Sequence, residues 1–100
     1  MGDPNYSEEE MVVYDALDLL KRKAADYNDG IKREAYFPHG LLSYHQMLHT
    51  KVLRIQSLLQ KKGEPNFEGI EDSLQDLLNY TIMALVYVKR THPRTGTSDS

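Results

Sequence analysis

The sequence has no cysteine and no tryptophan, four prolines, six glycines and no apolar run long enough to cross a bilayer. Without cysteine there is no disulfide, no thiol nucleophile and no thiolate-held metal, a usage that fits a reducing cytoplasm. The longest apolar stretch, Ile82 to Val88, falls far below the ~20 residues of a spanning helix, so no membrane partner is expected. Positive charge is in deficit too: 12 Lys and Arg stand against 15 Asp and Glu, for a net charge of −3. Affinity for a nucleic-acid polymer comes mostly from clustered basic side chains, so none is expected. The opening residues, Met1 to Glu10, are acidic where a targeting segment would be basic, and the expected location is cytoplasmic. There is no Gly-rich phosphate loop and no Gly-x-Ser-x-Gly elbow, which leaves serine-type hydrolysis without a motif. No internal repeat and no strand pattern is visible.

What remains is helical periodicity. Residues 1–6 form a polar lead-in. Ser7 and Glu10 make a capping box that starts a first helix, expected over Ser7 to Asp26 with an apolar stripe of Met11, Val13, Tyr14, Leu17, Leu20 and Ala24. Lys21, Arg22 and Lys23 are read as a solvated end of that helix, favoured there by the dipole. Tyr27-Asn28-Asp29-Gly30 signals a turn, and an irregular stretch follows to Tyr36-Phe37-Pro38-His39-Gly40. Its three aromatics, Tyr27, Tyr36 and Phe37, have two readings: they plug the end of the core, or they form a shelf on which a nucleobase stacks.

Ser43 with Gln46 repeats the capping box and opens a second helix, expected to reach Lys62 before Gly63 and Pro65 close it. Lys51 and Arg54 lie among its apolar positions, so their heads are either solvated or directed at the next helix. His45 and His49 have the i,i+4 spacing of a zinc pair, but there is no Glu of an H-E-x-x-H motif and no evident third ligand. Asn66 is expected to cap a third helix that runs to about Arg90. Beyond Asp76 that helix is apolar nearly all round, through Ile82, Met83, Ala84, Leu85, Val86 and Val88. A three-helix monomer can hardly bury such a helix. The expected fold is therefore all-α: one domain over residues 7–90, a three-helix chain that completes a helical bundle by homo-oligomerisation, as a dimer or tetramer. The tail, 91–100, has no apolar content and is expected to be disordered.

The third helix carries the chemistry. At roughly 100° per residue, Glu68, Asp72, Asp76 and Asn79 share one narrow stripe, with Ile70, Leu74, Leu77, Leu78 and Leu85 roughly opposite. Like charges at i,i+4 repel by a few tenths of a kcal/mol each, which either solvent or a cation must offset. Carboxylate oxygens prefer hard cations, Mg²⁺ or Mn²⁺, and Mg²⁺ commonly takes one or two carboxylates together with substrate phosphates. Lys51 and Arg54 would complement the remaining phosphate charge.

The segment Tyr44 to Val88 resembles a phage and bacterial domain associated with nucleotide modification, a branch near the MazG-like all-α nucleoside triphosphate pyrophosphohydrolases. The resemblance rests on Lys51, Arg54 and Leu58, then Glu68, Asp72, Asp76, Leu77, Asn79 and Tyr80, with Asp26-Tyr27-Asn28-Asp29 echoing an upstream D-Y-G-D. It implies a Mg²⁺-dependent nucleotide-binding protein that hydrolyses a nucleoside triphosphate to monophosphate and pyrophosphate. In that reading Glu68, Asp72 and Asp76 are the catalytic metal ligands. Lys51 and Arg54 take phosphate oxygens, Asn79 orients a ligand, and Tyr27 or Tyr36 stacks on the base. The chain departs from the MazG-like pattern in having no E-x-x-E pair on the earlier helix and Thr50 where relatives often have Asp. Two other functions therefore stay open: a non-catalytic protein that binds or sequesters a nucleotide, and a structural helical dimer or adaptor whose acidic stripe is solvated or paired with Lys51 and Arg54.

Overall fold

The computed structural model describes residues 7–30 and 32–93, apart from the side chains of 27–29. The described residues are helical, with no strand among them: α1 Glu8–Asp29, α2 Arg33–Tyr36, α3 Leu41–Gln60 and α4 Phe67–Thr91. Residues 1–6 and 94–100, which include the lead-in and most of the expected tail, lie outside the described residues.

The chain falls into two compact units, one carrying α1 and α2, the other α3 and α4. α1 starts where its capping box dictates: the Glu10 N–H donates to Ser7 Oγ at 3.1 Å, and the Ser7 N–H donates to Glu10 Oε1 at 2.8 Å. It ends later than expected. The helix continues through the turn signal to Asp29, and the Gly30 N–H donates to the Asp26 carbonyl. The basic run therefore sits inside the helix, and its last turn holds no cation. Arg22 there pairs with Asp18 at 3.1 Å, one turn back and well exposed, an ion pair of little energetic consequence. Ala16 is enclosed, whereas Val13, Tyr14 and Leu17 of the expected apolar stripe are largely exposed. A further difference is α2, one helical turn inside the stretch read as irregular, which brings the helices to four rather than three.

The second unit is an antiparallel pair. Tyr44 near the start of α3 meets Tyr87 near the end of α4, and Leu58 near the end of α3 lies over Gly69 at the start of α4. The start of α3 is a correction. It begins at Leu41, and no Ser43–Gln46 capping box forms. Gly40 holds the cap position at φ 60°, and Ser43 Oγ instead accepts the His39 N–H at 2.9 Å, folding the Pro38–Gly40 turn back on the helix. Only a glycine combines that positive φ with the lack of a side chain where the Tyr87 ring passes. Asn66 does cap α4 as expected, its Oδ1 accepting the Gly69 N–H at 2.9 Å. Replacing it with alanine is expected to cost about 1 kcal/mol of stability, read as a lower midpoint in urea unfolding followed by circular dichroism.

Packing between α3 and α4 uses large side chains at one end and small ones at the other. Phe37, just before the Pro38–Gly40 turn, stacks on Tyr44 with centroids 4.2 Å apart and meets the edge of Tyr80 at 6.1 Å. Phe37 thus plugs this end of the hairpin, as one reading of the loop aromatics had it. At the other end Gly69 and Ser73 are buried, and a Cβ on Gly69 would lie 3.1 Å from Leu58 Cδ1. Ser73 Oγ donates back to the Gly69 carbonyl, so its hydroxyl is satisfied within the helix. α4 therefore turns Gly69, Ser73, Met83 and Ala84 inward, while Leu74 and Leu85 remain more than half exposed. The near-complete burial expected of the α4 C-terminal half does not hold within a single chain.

Candidate functional site: the polar seam between α3 and α4

Midway along the hairpin, the Lys51 ammonium reaches across from α3 to the Asp76 carboxylate of α4 at 2.9 Å. Both side chains are mostly buried, at 22% and 32% exposure. Of the two possibilities for Lys51, the structure takes the one in which its head turns to the acidic helix. Arg54, three residues further on, is exposed and forms no ion pair among the described residues. Glu68 and Asp72 are likewise exposed, on the same stripe of α4 as Asp76.

The stripe is therefore divided along its length. Its N-terminal part, Glu68 and Asp72, opens to solvent. Its C-terminal part, Asp76 and Asn79, turns inward, with Asn79 only 2% exposed. Among the described residues, neither the Oδ1 nor the Nδ2 of Asn79 has a hydrogen-bond partner, and the same is true of the buried Nε2 of Gln75, one turn earlier. Buried polar groups are paired in the great majority of cases, and each orphan costs about 1–3 kcal/mol. An orphaned Asn79 amide and an orphaned Gln75 Nε2 near an ion pair are what distinguishes this seam from the rest of the described residues. Gln75 carries no signal in the sequence that marks it as part of the site. Its i,i+4 spacing to Asn79 was available, but nothing in the sequence said that its amide would be enclosed.

Among the described residues, no group of three or more His, Asp or Glu side chains is gathered to hold an ion. The cation beside Asp76 is an ammonium, and Glu68 and Asp72 alone would be left to meet a metal. The residues as arranged do not fit a resident metal ion held by protein alone. His45 and His49 stack nearly parallel, with centroids 6.3 Å apart, on an exposed part of α3.

Of the two expected stacking residues, Tyr36 lies in the α1–α2 unit, with 55% of its surface exposed. The side chain of Tyr27 lies outside the described residues. No described helix is long and apolar enough to cross a membrane.

No curated protein and no solved structure matches the chain. Residues 23–88, which include all of α3, the whole polar seam and most of α4, match the family described as nucleotide modification associated domain 1. The match spans well over half of the sequence, and the chain belongs to the nucleotide modification associated domain 1 family.

Proposed function

We propose that this protein binds a nucleotide at the α3–α4 seam, as a homo-oligomer in which further copies of the chain complete the bundle. The observation that carries the reading is the orphaned Asn79 amide, with the orphaned Gln75 Nε2 one turn earlier, on the helix that receives the cross-helix ammonium. Lys51 and Arg54 supply positive charge for phosphate oxygens. Asn79 offers an amide NH₂ that donates and a carbonyl oxygen that accepts, the complement of a base edge or a ribose hydroxyl. The base-stacking role that the family resemblance gives Tyr36 or Tyr27 is a separate expectation, carried by the α1–α2 unit.

Any Mg²⁺ or Mn²⁺ enters in this reading with the nucleotide, as part of the ligand. Glu68 and Asp72, exposed and one turn apart, would be the carboxylates open to such a complex, whereas Asp76 is held by Lys51. The activity to test is the MazG-like one, cleavage of the α–β phosphoanhydride of a nucleoside triphosphate to leave monophosphate and pyrophosphate, with Glu68, Asp72 and Asp76 as its acidic residues. A second reading, nucleotide binding without turnover, is favoured by one observation: Lys51 already neutralises Asp76.

The deciding experiment is thermal melting against a panel of nucleotides, with Mg²⁺ and with chelator. A nucleotide at a hundred times its Kd adds about 2.7 kcal/mol, a visible rise in Tm for a chain of this size. A rise that needs both nucleotide and Mg²⁺, followed by pyrophosphate release, supports the hydrolase. A rise that ignores chelator supports the non-catalytic binder. No rise with any nucleotide removes nucleotide binding and leaves the helical adaptor, in which Lys51 and Asp76 are a structural pair.

A further inference from the structure

The α3–α4 hairpin has a second face. On α3, at roughly 100° per residue, Leu41, Val52 and Leu59 lie on one line within ~20°, with Leu48 and Ile55 just beside it. On α4, Ile70, Leu74, Leu77, Thr81, Leu85 and Val88 fall within an arc of ~80°. The steps along α4 are three or four residues throughout, the spacing of a seam between packed helices. No charged residue falls in either stripe.

Lys51 against Asp76, with Tyr44 against Tyr87, fixes how the antiparallel helices are rotated about their axes. With that rotation both apolar stripes turn to the same side of the hairpin. Glu68 and Asp72 turn to the other side. The apolar side is exposed: Leu59 by 59%, Phe67 by 69% and Leu74 by 54%, with Leu41, Val52 and Leu85 at about half. These six side chains alone offer on the order of 600 Å² of apolar surface. A standard interface takes about 800 Å² from each partner, and the half-buried neighbours in the two stripes bring the face to that size.

We propose that this face is covered by the same face of a second copy, so that two α3–α4 hairpins close a four-helix bundle. A two-fold interface needs a self-complementary patch, and an uncharged pair of stripes with seam spacing meets its own copy without burying an unpaired charge. The polar seams then lie on the outer sides of the bundle, one per copy, and neither borrows a residue through this interface. The inference takes up the proposed self-association and is independent of nucleotide binding, which is read separately by the melting panel.

The test is the mass of the full chain in solution by light scattering or sedimentation. The chain is 11.5 kDa, so the expected species is twice that, and a monomer at micromolar concentration overturns the proposal. Leu74→Glu is expected to give a monomer that keeps its helical circular dichroism; a variant that stays dimeric places the interface elsewhere and also overturns it. Should Leu74→Glu unfold, the lack of any native cysteine allows a second measurement. A thiol at Leu74→Cys is expected to react with maleimide at least tenfold more slowly than one at Ser57→Cys, an exposed position away from the apolar stripes. Equal reaction rates would show the face open and sink the proposal.

Discussion

Asn79→Leu is expected to raise the melting temperature while removing the response to nucleotide. The substitution keeps the branching of the side chain and replaces two orphaned polar atoms by methyl groups in a site that is already 2% exposed. Each buried, unpaired polar group costs about 1–3 kcal/mol. Removing both is offset by the extra volume of two methyls in a packed site, where overpacking costs about 1–3 kcal/mol. A net gain of about 1 kcal/mol corresponds to roughly 4–8 °C in Tm for a chain of this length. Function held at the expense of stability is the usual trade at a binding site. The double readout makes the experiment decisive. A fall of about 2 kcal/mol would mean that the amide is satisfied in the native protein and that its burial is structural. A higher Tm with an unchanged nucleotide response would leave Asn79 outside the site, and Lys51 with Arg54 would be the residues to test next.

Gly40→Ala is expected to cost about 3 kcal/mol, the largest stability effect of any single substitution considered for this chain. Two independent terms contribute. Gly40 sits at φ 60°, ψ −127°, a conformation that side chains avoid and that costs about 1–3 kcal/mol to hold. A Cβ there would also run into the Tyr87 ring, lying 2.9 Å from its Cζ, and Tyr87 packs against Tyr44 at the plugged end of the hairpin. Gly63→Ala separates the two terms. Gly63 has φ 90° as well, but nothing lies within 4 Å of a Cβ placed there. Its loss is expected to be no more than about 1–2 kcal/mol, the backbone part alone. The pair is read from urea unfolding monitored at 222 nm. Equal losses for the two variants would show that the Tyr87 ring gives way freely and that the close approach is not a constraint.

Both results turn on features that the sequence leaves undecided, and the pattern is consistent. The sequence by itself determined the all-α class, because apolar residues recur at helical spacing and no stretch alternates. It determined two helix starts, at Ser7 with Glu10 and at Asn66, because capping is an interaction between residues at most three apart. The same rule failed at Ser43, where the tight Pro38–Gly40 turn offers the serine hydroxyl a nearer donor, the His39 N–H. The sequence also placed Lys51 among apolar positions, and that was enough to suggest its reach toward the acidic helix.

Only the tertiary structure decided which side of α4 meets α3. A helical wheel shows an acidic stripe with leucines opposite and favours burying the leucines. Instead Gly69 faces Leu58, with Ser73 buried one turn on, because small side chains let two helices approach where large ones would hold them apart. That choice draws Asp76 and Asn79 inward and leaves Leu74 and Leu85 outside. Burial is a property of the partner surface as much as of the residue, so the enclosed amides of Gln75 and Asn79 had no signature in the sequence. Local rules fixed where helices form; the fit between helices fixed where the site and the uncovered face lie.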